Sequence, residues 1–258
     1  MGSRVREARK QRGLTQAALG RAVRVSQGRI AQVEGGTKPP NYGLATLLQD
    51  ALDLGQQLTE LLPFVDHKTF AEWAAMFLAK QMEADRIQEF SHLIPGLLQT
   101  RAYATSLVEA AQIYDGTVDE DRVSVRIARQ SAIFDRAAPP WVQVIVSESA
   151  LRACIGSAEV MREQLAHLLQ MGQRERVSVA VLPFAKADGA ALTGSLSVLQ
   201  MPSGHSVAYT EGMQSGTLLE SKDDVSRYQA LYDRLRSRAL DEADSASLIS
   251  QVMKEYSE

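Results

Sequence analysis

About thirty residues near the start of the chain leave little freedom in how it can fold. They are Leu14-Thr15-Gln16-Ala17-Ala18-Leu19-Gly20 and, after a short gap, Val25-Ser26-Gln27-Gly28-Arg29-Ile30-Ala31-Gln32-Val33-Glu34. Thr15 and Ser26 carry short side chains whose oxygen accepts a backbone N–H from a first helical turn, so each opens a helix. Ala18, Leu19, Ala22 and Val23 give the first of these helices an apolar face, and Ile30 and Val33, three apart, turn the second one inward. Gly20 has no side chain, so a neighbouring helix can approach it closely. Gln27, Gly28, Ala31 and Gln32 then fall on the outward face. An earlier helix with Val5, Ala8 and Arg9 ends at Gly13. Gly35-Gly36 stop the third helix, and Pro39-Pro40 hold the chain extended. A fourth helix begins at Asn41 or Tyr42, with the stripe Leu44, Leu47, Leu48, Ala51, Leu52. Leu58, Leu61 and Leu62 supply a fifth before Pro63.

Charge adds a second constraint. Residues 1–41 hold nine Lys/Arg against Glu7 and Glu34, a surplus of +7, while the remaining 217 residues carry −10. A basic head on an acidic body is the layout expected when one end meets phosphates. Two short helices joined by a tight turn, the second showing glutamine amides, form a unit that fits the DNA major groove.

Residues 3–62 resemble the lambda-repressor-like helix-turn-helix family, in particular its xenobiotic-response-element (XRE) branch. Leu14–Gly20 and Val25–Gly35 match its apolar, capping and glycine positions in register. The resemblance implies a backbone contact to DNA for Gln16 and base-facing positions for Gln27, Gly28 and Gln32, behind the cap Ser26. Arg29 and Lys38 lie where phosphate contacts are expected, which position a protein without specifying sequence. Gln suits the N6/N7 edge of adenine. Gly28 offers no side chain, so Gln27 and Gln32 carry the readout. Arg24 stands where the family commonly has Gly and is expected to take a positive φ. The family usually binds as a dimer on half-sites about one helical turn apart.

The expected architecture is α+β: an all-α five-helix domain over 1–63, then a mixed α/β domain over 68–258 with a small sheet flanked by helices. Helical patterns run over 67–88 (Phe70, Trp73, Ala74, Phe77, Leu78), 95–113, with Pro95 in its first turn, and 118–135. Trp141–Val146 and Val177–Leu182 are β-branched runs of strand length. A helix over 160–171 separates them and favours parallel pairing. Leu196–Met201 and Val207–Thr210, joined by Pro202-Ser203-Gly204-His205, form a hairpin, and helices over 223–240 and 245–256 end the chain.

Ile94-Pro95-Gly96-Leu97-Leu98-Gln99-Thr100 with Tyr103, Arg126-Ile127-Ala128-Arg129-Gln130, and Glu148-Ser149-Ala150-Leu151-Arg152 carry a second resemblance. They look like the marks of an actinobacterial regulator group in which a helix-turn-helix precedes a C-terminal domain of poorly defined function. Such regulators are often described as antitoxin-like, encoded beside a small partner protein. The resemblance therefore implies partner or effector binding in the second domain, and Arg126, Arg129, Glu148 and Arg152 are the candidates. At helical spacing, charges more often form a solvated or internally paired face. Glu148 and Arg152, four apart, suit a structural ion pair at the start of a helix. A small-molecule sensor is the alternative, favoured by an apolar cavity lined by Trp141, Phe184 or Tyr209; a flat exposed apolar patch favours a protein partner.

Enzyme chemistry finds no support. Gly35-Gly36-Thr37-Lys38 lacks the order of a phosphate loop and leads into prolines, and no Gly-x-Ser-x-Gly elbow exists. Four scattered His residues do not suggest a metal site, and no cofactor is expected. Cys154 is alone and is expected in the core. With no apolar stretch approaching a membrane span, no leader and no disulfide framework, a cytoplasmic location is expected.

Overall fold

The run Trp141–Val146 is apolar almost without alternation because it becomes a strand covered on both faces. Val142, Val144 and Val146 are buried against one helical layer and Ile145 against another. The computed structural model describes residues 1–36, 39–40, 42–55, 57–61, 72–115, 120–212 and 216–256; the side chains of 60, 72–73, 111–115 and 120–121 are not among those described. Lys38, Asn41, Leu62, Phe70, the Trp73 side chain and the expected domain boundary at 63–68 therefore lie outside the described residues.

Five helices open the chain: α1 (Gly2–Gln11), α2 (Gln16–Ala22), α3 (Gln27–Glu34), α4 (Tyr42–Leu52) and α5 (Gln57–Leu61). Val5, Leu19, Ile30, Leu48 and Leu58, each fully buried, form their common core. The second domain follows with α6 (Glu72–Glu83), β1 (Arg86–Ser91), a single 3-10 turn (Gly96–Leu98), α7 (Arg101–Asp115), α8 (Glu120–Phe134) and β2 (Trp141–Ser147). Then come α9 (Glu148–Arg152), α10 (Ala158–Met171), β3 (Val177–Leu182), β4 (Ser195–Gln200), β5 (Ser206–Glu211), β6 (Gly216–Leu219), α11 (Lys222–Arg238) and α12 (Glu242–Glu255). The strands make one mixed sheet in the order β3-β2-β1-β4-β5-β6. β1, β2 and β3 are parallel, and β4, β5 and β6 continue antiparallel from β1. The expected β-α-β unit and the β4–β5 hairpin are both present.

Three expectations are corrected. The helix expected over 67–88 stops at Glu83, and residues 86–91 form β1, the strand on which the parallel and antiparallel halves of the sheet meet. Its sequence Arg-Ile-Gln-Glu-Phe-Ser lacks alternation because Ile87 and Phe90 enter opposite cores. Pro95 does not open a long helix: it precedes the 3-10 turn, and α7 starts only at Arg101. Cys154 is exposed, because it follows the end of α9 in a connecting loop.

α11 covers one sheet face over Phe90, Ala180 and Val198, and α6, α7, α8, α10 and α12 gather at the other. The β3 edge is closed by α12: Ser245, fully buried, accepts a hydrogen bond from the Val181 N–H at 2.9 Å. Gln164 on α10, also fully buried, fastens the segment before α7. Its Oε1 accepts from the Thr100 N–H and its Nε2 donates to the Leu98 carbonyl, both at 2.8 Å. Replacing Gln164 with Leu keeps the volume but leaves both backbone groups unsatisfied, at a cost of about 3 kcal/mol. A fall in Tm of about 6–12 °C is expected by calorimetry. A change within 2 °C would mean that water or backbone adjustment replaces both bonds.

Candidate nucleic-acid interface and a charged recess

The turn between α2 and α3 is built from its caps. Thr15 Oγ1 accepts from the Ala18 N–H at 3.1 Å and Ser26 Oγ from the Arg29 N–H at 3.2 Å. Arg24 takes φ 58°, as its position requires. A Cβ on Gly20 would sit 2.7 Å from the Val25 carbonyl oxygen, so only glycine lets the turn fold back this tightly over α2. Ile30 and Val33 are buried, while Gln27, Gly28, Ala31 and Gln32 are exposed together on the opposite face of α3.

Glu34, which the sequence offers only as a charge and as a position of the family run, fixes that face in space. Its side chain is fully buried. The Arg9 guanidinium grips both of its oxygens, with Nη2 to Oε2 at 3.0 Å. Gln16 Nε2 donates to Oε2 at 2.9 Å, and Arg6 adds an ion pair at 3.5 Å. Arg9 also donates to the Leu14 carbonyl at 2.7 Å. The C-terminal turn of α3 is thus tied to α1 and to the start of α2. Burial alone would raise the Glu34 pKa, but the hydrogen bonds from Arg9 and Gln16 and the charges of Arg9 and Arg6 outweigh it and hold the carboxyl below its ordinary range. Gln16, the expected backbone contact, gives one amide hydrogen to this clamp and retains a second N–H. Arg29 is held too, its Nη2 donating to the Pro39 carbonyl at 2.6 Å. Arg6 and Arg9 answer Glu34, so the basic surplus of the head rests on its other basic residues, including the exposed Arg21 and Arg24.

In the second domain the motifs around Gly96 and Arg126 meet. Gln130 Nε2 donates to the Gly96 carbonyl at 2.7 Å and the Gln99 carbonyl at 2.9 Å, and Arg126 Nη1 donates to Gln99 Oε1. A Cβ on Gly96 would lie 2.8 Å from Arg129 Nη2, so the bare backbone makes room for that guanidinium. Arg129 is only 8% exposed. Among the described residues it has neither hydrogen-bond nor ion-pair partner, and its Nε is fully enclosed. Glu89 on β1 and Glu211 at the end of β5 act on it through space without reaching it. Burial pulls Arg129 down to about 10, helped by the like charge of Arg126 and opposed by the two carboxylates. Burial pushes Glu89 up to about 7, with Arg129 opposing and Glu211 adding to the shift.

Glu148 and Arg152 lie elsewhere and are fully engaged. Glu148 Oε1 meets Arg152 Nε at 2.7 Å, Oε2 accepts from the Phe184 N–H at 2.9 Å, and Arg152 Nη1 reaches Glu255 at 2.6 Å. They fasten α9 to α12 and to the end of β3, and share no partner with Arg126 or Arg129. Trp141, Phe184 and Tyr209 do not line one cavity. Trp141 is exposed beneath Arg176 at the start of β2, Phe184 is exposed beyond the end of β3, and Tyr209 is buried in a stack on Phe77.

Residues 1–62 match the model of a helix-turn-helix domain. Residues 75–251, well over half of the chain, match the model described as a domain of unknown function, DUF5753. The protein therefore belongs to the DUF5753 family and carries an N-terminal helix-turn-helix of the kind found in DNA-binding regulators. No curated protein and no solved structure matches it. Among the described residues no helix is long and apolar enough to cross a membrane.

The Glu34 clamp makes a pH prediction. A carboxyl whose folded pKa is depressed stabilises above its unfolded value, near 4.5, and that contribution is lost as pH falls through the folded value. Glu34→Gln strands Arg9 and is expected to cost about 3 kcal/mol or more at pH 7. It should also remove part of the acid-induced loss below pH 4.5, as followed by urea melts across pH. Parallel pH curves for the two proteins would contradict this account.

Proposed function

We propose that this protein is a cytoplasmic, non-enzymatic, sequence-specific transcriptional regulator of the XRE type that binds DNA as a dimer. The observation that carries this is the exposed amide face of α3, held rigid by two caps and the Glu34 clamp beside an excess of basic side chains. Gln27 and Gln32 read base edges, Gly28 lets the backbone come close, and Ser26 presents the helix N-terminus. Gln16, Arg29 and Lys38 position the duplex through phosphates.

The second domain sets DNA occupancy by binding an effector. Exposed Leu93, Phe184 and Leu192 follow β1, follow β3 and precede β4, which places all three beyond one end of the strands. This apolar end of the sheet supports an antitoxin-like reading, with a small partner protein docked there. The charged recess around Arg129 supports a second reading, in which the domain senses a small molecule.

Retardation of selected genomic fragments should weaken steeply with salt, by a log–log slope of about −0.9 for each phosphate neutralised. Gln32→Ala should relax preference at one base step per half-site, at about 1–3 kcal/mol, whereas Lys38→Ala should weaken all sequences alike. A flat salt response, or equal retention of all fragments by the wild-type protein, rejects the reading. Co-purification with the product of a small adjacent reading frame would favour the partner over the small molecule.

A further inference from the structure

We propose that the recess between α8, the Gly96 turn and strands β1 and β5 binds a small zwitterion of the amino-acid class, its carboxylate on Arg129 and its ammonium on Glu89. The proposal rests on the small-molecule reading above and gives that ligand a chemical class.

A guanidinium carries five N–H donors, and enclosing one without an acceptor is among the costlier arrangements a fold can keep. Arg129 approaches that state: it is nine-tenths buried, its Nε is enclosed, and it has no hydrogen-bond or ion-pair partner among the described residues. Gly96, having no side chain, lets Arg129 Nη2 pack close against the turn, where any Cβ would crowd it, and the neighbouring Arg126 is already held by Gln99. A fold that retains such a group has a use for its free donors, and the natural acceptor is a planar carboxylate taken in bidentate fashion.

The opposite wall decides the rest of the ligand. Glu89 projects from the sheet face that carries Ile87, with Ser197 beside it in register, and Glu211 ends β5 opposite Ser195. Neither carboxylate forms an ion pair with Arg126 or Arg129 among the described residues, although each feels their charge. Glu89 keeps part of its surface accessible within crowded surroundings, and Glu211 is exposed, so the recess opens past Glu211. A simple anion entering here would be repelled by two carboxylates, and a simple cation by two guanidiniums. A molecule carrying both charges a few bonds apart satisfies both walls, replacing the gap between Glu89 and Arg129 with two direct ion pairs. The Glu89 carboxyl, raised to about 7, would ionise more readily against an ammonium, so binding should strengthen as pH rises from 6 to 8.

The test uses the full-length protein, first without DNA and then in DNA retention with and without any amino acid that binds. The standard amino acids are added singly at millimolar concentration in thermal melts, with acetate and methylammonium as single-charge controls, and any hit is titrated by calorimetry. At least one amino acid should raise Tm while neither control does. Its affinity should fall at least tenfold in Arg129→Gln and in Glu89→Gln, and should be unchanged in Arg152→Gln, which lies outside the recess. Ligand-free Arg129→Gln should melt no lower than wild type, because the substitution removes an unpaired buried charge. The proposal is overturned if no amino acid binds, if acetate binds as well as any of them, or if Arg129→Gln keeps full affinity. A ligand-free melt many degrees below wild type overturns it too, since Arg129 would then be a structural cation. Binding that leaves DNA retention unaltered would uphold the site and reject the effector reading, so the two failures are distinguishable.

Discussion

One buried carboxylate holds the N-terminal domain in its working shape. Glu34 stands at the last residue of α3, and through Arg9 and Gln16 it joins three short helices to one another. Helices of seven to ten residues are too short to persist alone in water, so their mutual angles must come from tertiary contacts. Leu19, Ile30 and Val33 supply the burial. Apolar packing is tolerant of small rotations, however, whereas a guanidinium on two carboxylate oxygens is not. The clamp fixes how α3 is rotated and hence where Gln27 and Gln32 point. A buried ion pair is weak evidence for stability but a good device for geometry, and here it sets the orientation of α3 and of its exposed amide face.

The sequence made the punctuation of this domain plain and its wiring obscure. Thr15, Ser26, Gly13 and Arg24 act locally, through a cap or a positive φ, and residue type and spacing suffice to place them. Glu34 pairs with residues 18 and 25 positions away, and no local rule connects them. The second domain divides in the same way. β2, β3 and the β4–β5 hairpin declare themselves through runs of Val, Ile and Leu or through the turn Pro202–His205. β1 does not, because two of its residues are apolar and four are polar or charged. Its strand state is imposed by β2 and β4 on either side. β6, only four residues at the sheet edge, carries too little pattern to be read. The polarity that hid β1 is the same polarity that places Glu89 in the recess.

The motifs that mark the second domain are scattered in sequence and joined in space. Gln130 and Gln164 hold the Ile94–Thr100 segment by its backbone carbonyls and an N–H, so these glutamines have structural work that conservative replacement would not reproduce. Arg126 completes that frame through Gln99. Arg129 alone in this group contributes nothing to it. That contrast separates framework from candidate site more sharply than burial or charge does, since all four side chains are polar and largely enclosed.

α8 belongs to both domains. Val125 on one side of it lies in the apolar core of the helix-turn-helix unit with Leu48 and Leu58, and the next residue, Arg126, turns into the recess. A rigid helix cannot shift at one of these faces without moving the other, and close-packed cores accommodate such a shift as a discrete repacking. On the proposed small-molecule reading, a ligand that draws Arg129 toward the sheet would act on the packing beneath α4 and α5. By linkage, DNA held by the head would change the affinity of the recess by the same factor. The size of that factor is set by how differently the ligand is bound in the two arrangements of α8. A guanidinium with no partner among the described residues is well suited to make that difference large, because nearly all of its hydrogen bonds would be made in only one of them.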